Sequence, residues 1–386
     1  MSGHIHRRGK NSWRLKFDIG ADPLTGARRI RYHTFRGTKR DAEIKLAGLI
    51  TENSKGQYVD TSKTTVADFV DRWKRDWAES HVSAKTFERY AELLRNHVVA
   101  HIGDVQLQKL RAIHINELYG TLLRGKDRKA LAPRTVGHVH RVLHRALGHA
   151  NRWGLVQQNV AALVSPPRVP STEIELLTPA QVQTVLERLE GRSVFPIFML
   201  ALATGMRRGE LLALRWCDVD LDGAVLRVER SLEQTKAGLR FKSPKTKHGR
   251  RSISLPPSAV AVLREHWKMR QEFRLKLGAG KAAADALVFP TWDGKPRSPN
   301  ALTKEWSLAV KAAGVPAVTL HSLRHTHASH LIAAGHDVLT ISRRLGHGSP
   351  TITLGVYGHL FANADDRAAS SIEAMFTAAR KPQNVK

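Results

Sequence analysis

The stretch SPPRVPSTE, residues 165–173, does most to limit what this chain can fold into. Its three prolines lack backbone donors and fix φ, so neither a continuous helix nor a central strand can pass through it. The 386 residues are therefore expected to form separate bodies, 1–165 and 174–386, joined by a linker at 166–173. A hydrophobic fraction of 42% gives ordinary cores and excludes global disorder.

Downstream of the linker the pattern is mostly helical. Thr178 and Pro179 open a helix with Val182, Val185, Leu186 and Leu189 inward. Residues 195–203 are almost wholly apolar, a buried helix ending at Thr204-Gly205, and Arg207 and Glu210 begin the next. Strands near 224–230, 239–242 and 251–255 predict one small antiparallel sheet, with SPKTKHGR between the last two. A helix over 321–334 stops at Gly335, Asp337 caps a second that ends at Gly346, and Ser349-Pro350 opens a short one carrying Tyr357. Ile372, Met375 and Phe376 mark a terminal helix.

This spacing lets His321, Arg324, His347 and Tyr357 converge. A phenol beside imidazoles and a guanidinium points to attack on a phosphodiester. Charge agrees: Lys plus Arg total 62 against 34 Asp plus Glu, a net +28, which favours a polyanion and nucleic acid first. No run of about 18 apolar residues and no apolar leader are visible, so a soluble, cytoplasmic protein is expected. Cys217 is the only cysteine, which excludes an intrachain disulfide and a cysteine-based zinc site.

Two patterns imitate metal sites. Asp218, Asp220, Asp222, Gly223 and Glu229 fit a calcium loop literally, but strand residues follow where a helix is needed, so the aspartates read as a turn. His321, His325, His327 and His330 lack the glutamate of a zinc-protease helix; the last three are expected to pack or to face phosphate.

Before the linker, residues 13–20 and 28–35 alternate as strands, and Thr38 with Asp41 starts a helix through Ile44, Leu46 and Leu49. Arg29 and Arg31 on the second strand are candidate DNA contacts. Residues 64–165 read as four helices, with Trp73 and Trp77 as core and Arg141 and Arg145 facing outward as candidate phosphate contacts.

H-S-L-R, then L-G-H, then a tyrosine ten residues on, with T-G-M-R-R-G-E-L and K-T-K-H-G-R-R upstream, resembles the signature of the tyrosine recombinases, the phage-integrase family. The resemblance implies an α+β, mostly α fold: an arm-type DNA-binding domain (1–60), a core-binding domain (64–165) and a catalytic domain (174–386). It implies Arg207, Arg324 and His347 on the phosphate, Glu210 in support, His321 taking the proton of the nucleophile Tyr357, and Lys247 as general acid, with Lys245 its competitor. Two arginines would do the work of a metal, so no metal or cofactor is expected. A covalent 3′-phosphotyrosine, a Holliday junction, a tetramer on DNA and accessory DNA-bending or directionality proteins are further implications, for the integration or excision of a mobile element. A type IB topoisomerase is one rival reading, and a catalytically silent DNA-binding regulator is the other.

Overall fold

The computed structural model describes residues 3–21, 25–54, 58–125, 129–170, 175–244, 247–361 and 364–379, the side chains at 247, 364–368 and 377–379 apart. The chain divides into two compact units, Met1–Ser171 and Thr172–Lys386. Residues 165–170, at the end of the first, carry neither helix nor strand.

The first unit opens with a three-stranded antiparallel sheet, β1 (Gly3–Gly9), β2 (Ser12–Ala21) and β3 (Arg28–Arg36), covered on one face by α1 (Lys39–Ser54). Leu15 and Phe17 of β2 pack with Ala42, Leu46 and Leu49 of α1. The expected capping residues are in place: Thr38 Oγ1 accepts from the Asp41 amide and Asp41 Oδ2 from the Thr38 amide. β1 has Ile5 as its one aliphatic side chain, so no alternation announces it, and within α1 Ala42 is buried while Ile44 is 64% exposed.

Register decides which basic residues are available. Phe17 pairs with Arg31 and Leu15 with His33, so Arg31, and Arg29 two residues before it, lie on the side that α1 covers. Arg31 is clamped by Asp60 through two bonds of 2.7 Å. The open face instead carries Arg14, Lys16, Tyr32 and Arg36, with the Arg14 guanidinium 4.0 Å from the centre of the Tyr32 ring.

The rest of this unit is helical: α2 (Val66–Trp73), α3 (Ala84–Leu93), α4 (Ala112–Arg124) and α5 (Pro133–Arg152). Thr65 and Asp68 form a capping box on α2. Phe69, Trp73, Leu94, Ile115, Val139 and Leu143 are the centre of one core. Trp73 is fully buried and donates to His149 Nδ1 at 2.8 Å, so its indole N–H costs nothing to bury. Trp77 is only half-buried and, with Arg141, Arg145 and Arg152, lines an open groove of about 1080 Å³. Arg145 donates to Tyr90 and Arg141 lies against His138.

The second unit is built on α6 (Pro179–Leu189), α7 (Phe195–Thr204) and α8 (Arg208–Leu212). α7 is apolar around its circumference and sits at the centre of the largest core, beside Trp306. The expected single sheet is two. β4 (Val219–Asp220), β5 (Val225–Val228) and β8 (Arg251–Ser254) pair as one; β6 (Ser231–Thr235) and β7 (Gly238–Lys242) form a separate hairpin. SLEQT has one aliphatic residue, which is why β6 was not legible as the partner of β7. β7 and β8 thus belong to different sheets and are not the two arms of one hairpin; Lys247 begins a single 3₁₀ turn, and Lys245 lies outside the described residues. The aspartate run is a turn into β5: Asp220 Oδ1 accepts from the amides of Asp222 and Gly223, and Asp218 pairs with Arg215.

After α9 (Pro257–Lys276) and α10 (Pro299–Ala313) come α11 (Ser322–Ala333), α12 (Val338–Leu345), α13 (Pro350–Tyr357) and α14 (Ala364–Ala379). Asp337 and Ser349 cap α12 and α13 as expected, and Gly346 closes α12 at φ 68°. Among the described residues, no helix is long and apolar enough to cross a membrane.

Candidate active site

The site lies where α7 and α12 end. α7 closes on Gly205 at φ 63°, and a Cβ there would meet the His327 ring at 2.7 Å and Leu345 at 2.8 Å. The backbone then turns and Arg207 takes the N-cap position of α8. Glu210, three residues on, accepts from the Arg207 amide at 3.0 Å and from its guanidinium at 2.8 Å. Arg251 donates to the same carboxylate at 2.9 Å, on Oε2, the oxygen that also accepts the Arg207 amide. Burial alone would raise Glu210, but Arg251 and Arg207 outweigh it and hold the carboxyl below its ordinary range.

Arg324, on α11, is 3% exposed and donates at 2.7 Å to both Gly205 O and Leu345 O, the last carbonyls of two helices. Helix C-termini carry partial negative charge, so a cation is favoured there. Arg207 reaches Gly346 O at 3.1 Å, bringing the two guanidinium groups to one helix end. Burial first, then repulsion from Arg207 and Arg251, pushes Arg324 down to about 9. It stays charged at neutral pH in a field that an anion would relieve, which is the electrostatic signature of a phosphate site.

The imidazoles are all poised neutral. His347 is pushed down to about 4 by burial and then by Arg324, Arg207 and Arg251; its Nδ1 lies 2.8 Å from the Thr353 hydroxyl. His321, at the solvent edge of the group, is also depressed, by desolvation and by its neighbours His325, Arg324 and Arg207. Tyr357, the last residue of α13, is 2% exposed, and burial pushes its phenol up to about 12 against the pull of Arg324.

The structure therefore brings Arg207, Glu210, His321, Arg324, His347 and Tyr357 into one cluster. The imidazole hydrogen-bonded to the phenol is that of His325, whose Nδ1 is 2.7 Å from the hydroxyl. His325 is four residues after His321 on one helix face, a spacing visible in the sequence, but which ring meets the phenol is settled by α13. Sequence reasoning also missed Arg251 and Arg344 as struts; Arg344 bonds His327 Nε2 and Ala203 O. His327 is fixed on Leu202 O, and His330 is exposed.

Two guanidinium groups, neutral imidazoles and a buried phenol on such a scaffold have the composition of a site that binds a phosphodiester. Comparison with known proteins specifies it. Residues 175–364 match the phage integrase family and 65–123 the N-terminal SAM-like domain of phage integrases. An integrase of Streptomyces ambofaciens is 30% identical over 369 residues, covering 92% of this chain and 91% of that one. The fold is shared with the Tn1549 transposon integrase in complex with transposon right end DNA (TM-score 0.65, 23% identity, 80% of this chain, 99% of that one). It is shared also with a lambda integrase tetramer bound to a Holliday junction (TM-score 0.55, 19% identity, 89% and 92%). This chain belongs to the phage integrase family, the tyrosine-type site-specific recombinases of mobile elements, which cleave and rejoin DNA.

Proposed function

We propose that this chain cuts its DNA attachment site with Tyr357, leaving a covalent 3′-phosphotyrosine, and exchanges strands through a Holliday junction to integrate or excise its element. The observation that carries the reading is the buried pair of guanidinium groups, Arg207 and Arg324, held against helix ends beside the Tyr357 phenol. A pentacoordinate phosphorane places extra negative charge on its non-bridging oxygens, and two rigid guanidinium groups neutralise it without moving; each such donor is worth about 10²–10³ in rate. His347 and His321 add hydrogen bonds to the same oxygens. Glu210 keeps Arg207 and Arg251 in register. Lys247 protonates the departing 5′ oxygen, and Lys245 is the alternative donor. The phosphotyrosine conserves the energy of the broken bond, so religation needs no further energy source.

Outside the active site, DNA contact is assigned to two surfaces. In the arm module the open sheet face with Arg14, Lys16, Tyr32 and Arg36 replaces Arg29 and Arg31 as the surface for a groove. In the helical module Arg141 and Arg145, on the rim of the Trp77 groove, meet phosphates. Strand exchange needs four active sites, so the working form is a tetramer on DNA, as lambda integrase forms on its junction. The exposed Ile372, Met375 and Phe376 of α14 give it an apolar face for a neighbouring protomer. The protein acts in the cytoplasm, with accessory DNA-bending or directionality proteins setting the outcome.

The test is a nicked suicide substrate carrying the attachment sequence, run with chelator. Covalent protein on the DNA 3′ end, absent in Tyr357→Phe, is expected. Tight binding with no adduct would leave a DNA-binding regulator as the better account.

A further inference from the structure

We propose that His325, hydrogen-bonded to the Tyr357 hydroxyl, is the catalytic base that takes the phenolic proton during strand cleavage. The inference rests on Tyr357 being the nucleophile, and it goes further by naming the atom that receives its proton. The Nδ1–hydroxyl distance is 2.7 Å, and the two rings meet edge to face at 5.6 Å. His321, which the sequence pattern puts forward for this role, touches the far side of the chain of rings: it stacks edge to face on His325 at 4.9 Å.

The groups that face His325 agree with a base. On its own helix they are His321 and Arg324; from α13 it is Tyr357. Desolvation and the Arg324 charge hold His325 below the ordinary imidazole range, so at neutral pH it is uncharged and has a lone pair to offer. A phenol pushed up to about 12 is otherwise too weakly acidic to attack at that pH. In the step, the Tyr357 oxygen bonds to phosphorus, the bond from phosphorus to the 5′ oxygen breaks, and the phenolic proton passes to His325 Nδ1. The 5′ oxygen receives its own proton from the general acid. Religation returns the proton from His325 to the phenol.

The experiment is single-turnover cleavage of the nicked suicide substrate by the full chain across pH 5 to 9, with His325→Asn and His325→Ala. An asparagine amide occupies nearly the position of Nδ1 and accepts a hydrogen bond, but it cannot take a proton. Both variants are expected to cleave about 10²–10⁴-fold more slowly at neutral pH. The DNA affinity of both should stay at the wild-type value, and His325→Asn, which keeps an acceptor for the buried hydroxyl, should also keep the wild-type thermal midpoint. The acidic limb of the rate profile should vanish, and fluorinated tyrosine at position 357, with its more acidic phenol, should narrow the deficit. If His325→Asn cleaves like wild type, His325 only positions the phenol and the base assignment is overturned; wild-type cleavage by His325→Ala overturns it too. If Tyr357→Phe still forms an adduct, the nucleophile itself is wrong, which is a separate failure.

Discussion

Glu210→Gln tests the electrostatic architecture most directly. The carboxylate is 4% exposed and joins Arg207 to Arg251, whose own side chain is 6% exposed. Glutamine keeps the shape and one acceptor oxygen but removes the charge, leaving Arg251 buried beside Arg324 with nothing to balance it. Breaking a buried pair in this way costs about 3–5 kcal/mol. In a unit of this size each kcal/mol lowers the midpoint by roughly 2–4 °C, so a fall of about 6–20 °C is expected by calorimetry. The pH dependence has a definite sign. Glu210 is depressed in the folded state, so its stabilisation is present above the unfolded carboxyl range and is lost as pH falls through the folded value. The wild-type advantage over the glutamine variant should therefore be full at pH 7 and shrink in acid below about pH 4.5. Added DNA should restore part of the lost midpoint, because a phosphate relieves the same positive field. An unchanged midpoint at pH 7, or an advantage that grows in acid, would refute the reasoning.

Three further outcomes are expected. Gly205→Ala forces a left-handed backbone on a residue with a Cβ and drives that atom into His327; about 2–5 kcal/mol of stability should be lost, read from the thermal midpoint, and an unaltered midpoint would contradict the close approach. Arg324→Lys cannot span Gly205 O and Leu345 O together, so single-turnover cleavage should fall about 10²–10³-fold with Kd nearly unchanged; an equal loss in Kd would mean the guanidinium acts in the ground state. Arg14→Ala and Lys16→Ala should each lower the slope of log K against log salt by about 1 on arm-type DNA, whereas Arg31→Ala should leave it alone; a slope change only in the last would put the other sheet face on the duplex.

The local signals in the sequence carried well. Thr178-Pro179, Asp337, Gly346 and Ser349-Pro350 bound helices where the sequence puts their ends, because a cap depends on residues within one turn of it. Pairing did not carry. β1 and β6 have one aliphatic side chain each, so neither strand is announced by alternation and the partner of β7 cannot be assigned, while the face of Arg31 is fixed by its pairing with Phe17 across β2 and β3. The site shows the same division. Residue types and spacing pointed to the cluster, but the bond from His325 to Tyr357 depends on how α13 packs against α11, a contact across 32 residues that no periodicity encodes.

The two short glycine motifs have a common physical reason. T-G-x-R and L-G-H each end a helix on a glycine with positive φ, at Gly205 and Gly346. Both glycines sit where a Cβ would collide, Gly205 with His327 and Leu345, and Gly346 with the Arg251 guanidinium at 2.8 Å. The carbonyls at these two turns hold the guanidinium groups in a crossed arrangement: Arg324 takes Gly205 O and Leu345 O, while Arg207, two residues after Gly205, takes Gly346 O. Each helix end thus fixes an arginine that does not follow it in sequence, and displacing either end should move both. The motif spacing is short because the glycine that terminates the helix and the residue that uses the resulting turn must be neighbours. Catalysis by two fixed cations requires that rigidity, since a guanidinium free to rotate would solvate itself and lose most of its advantage over water.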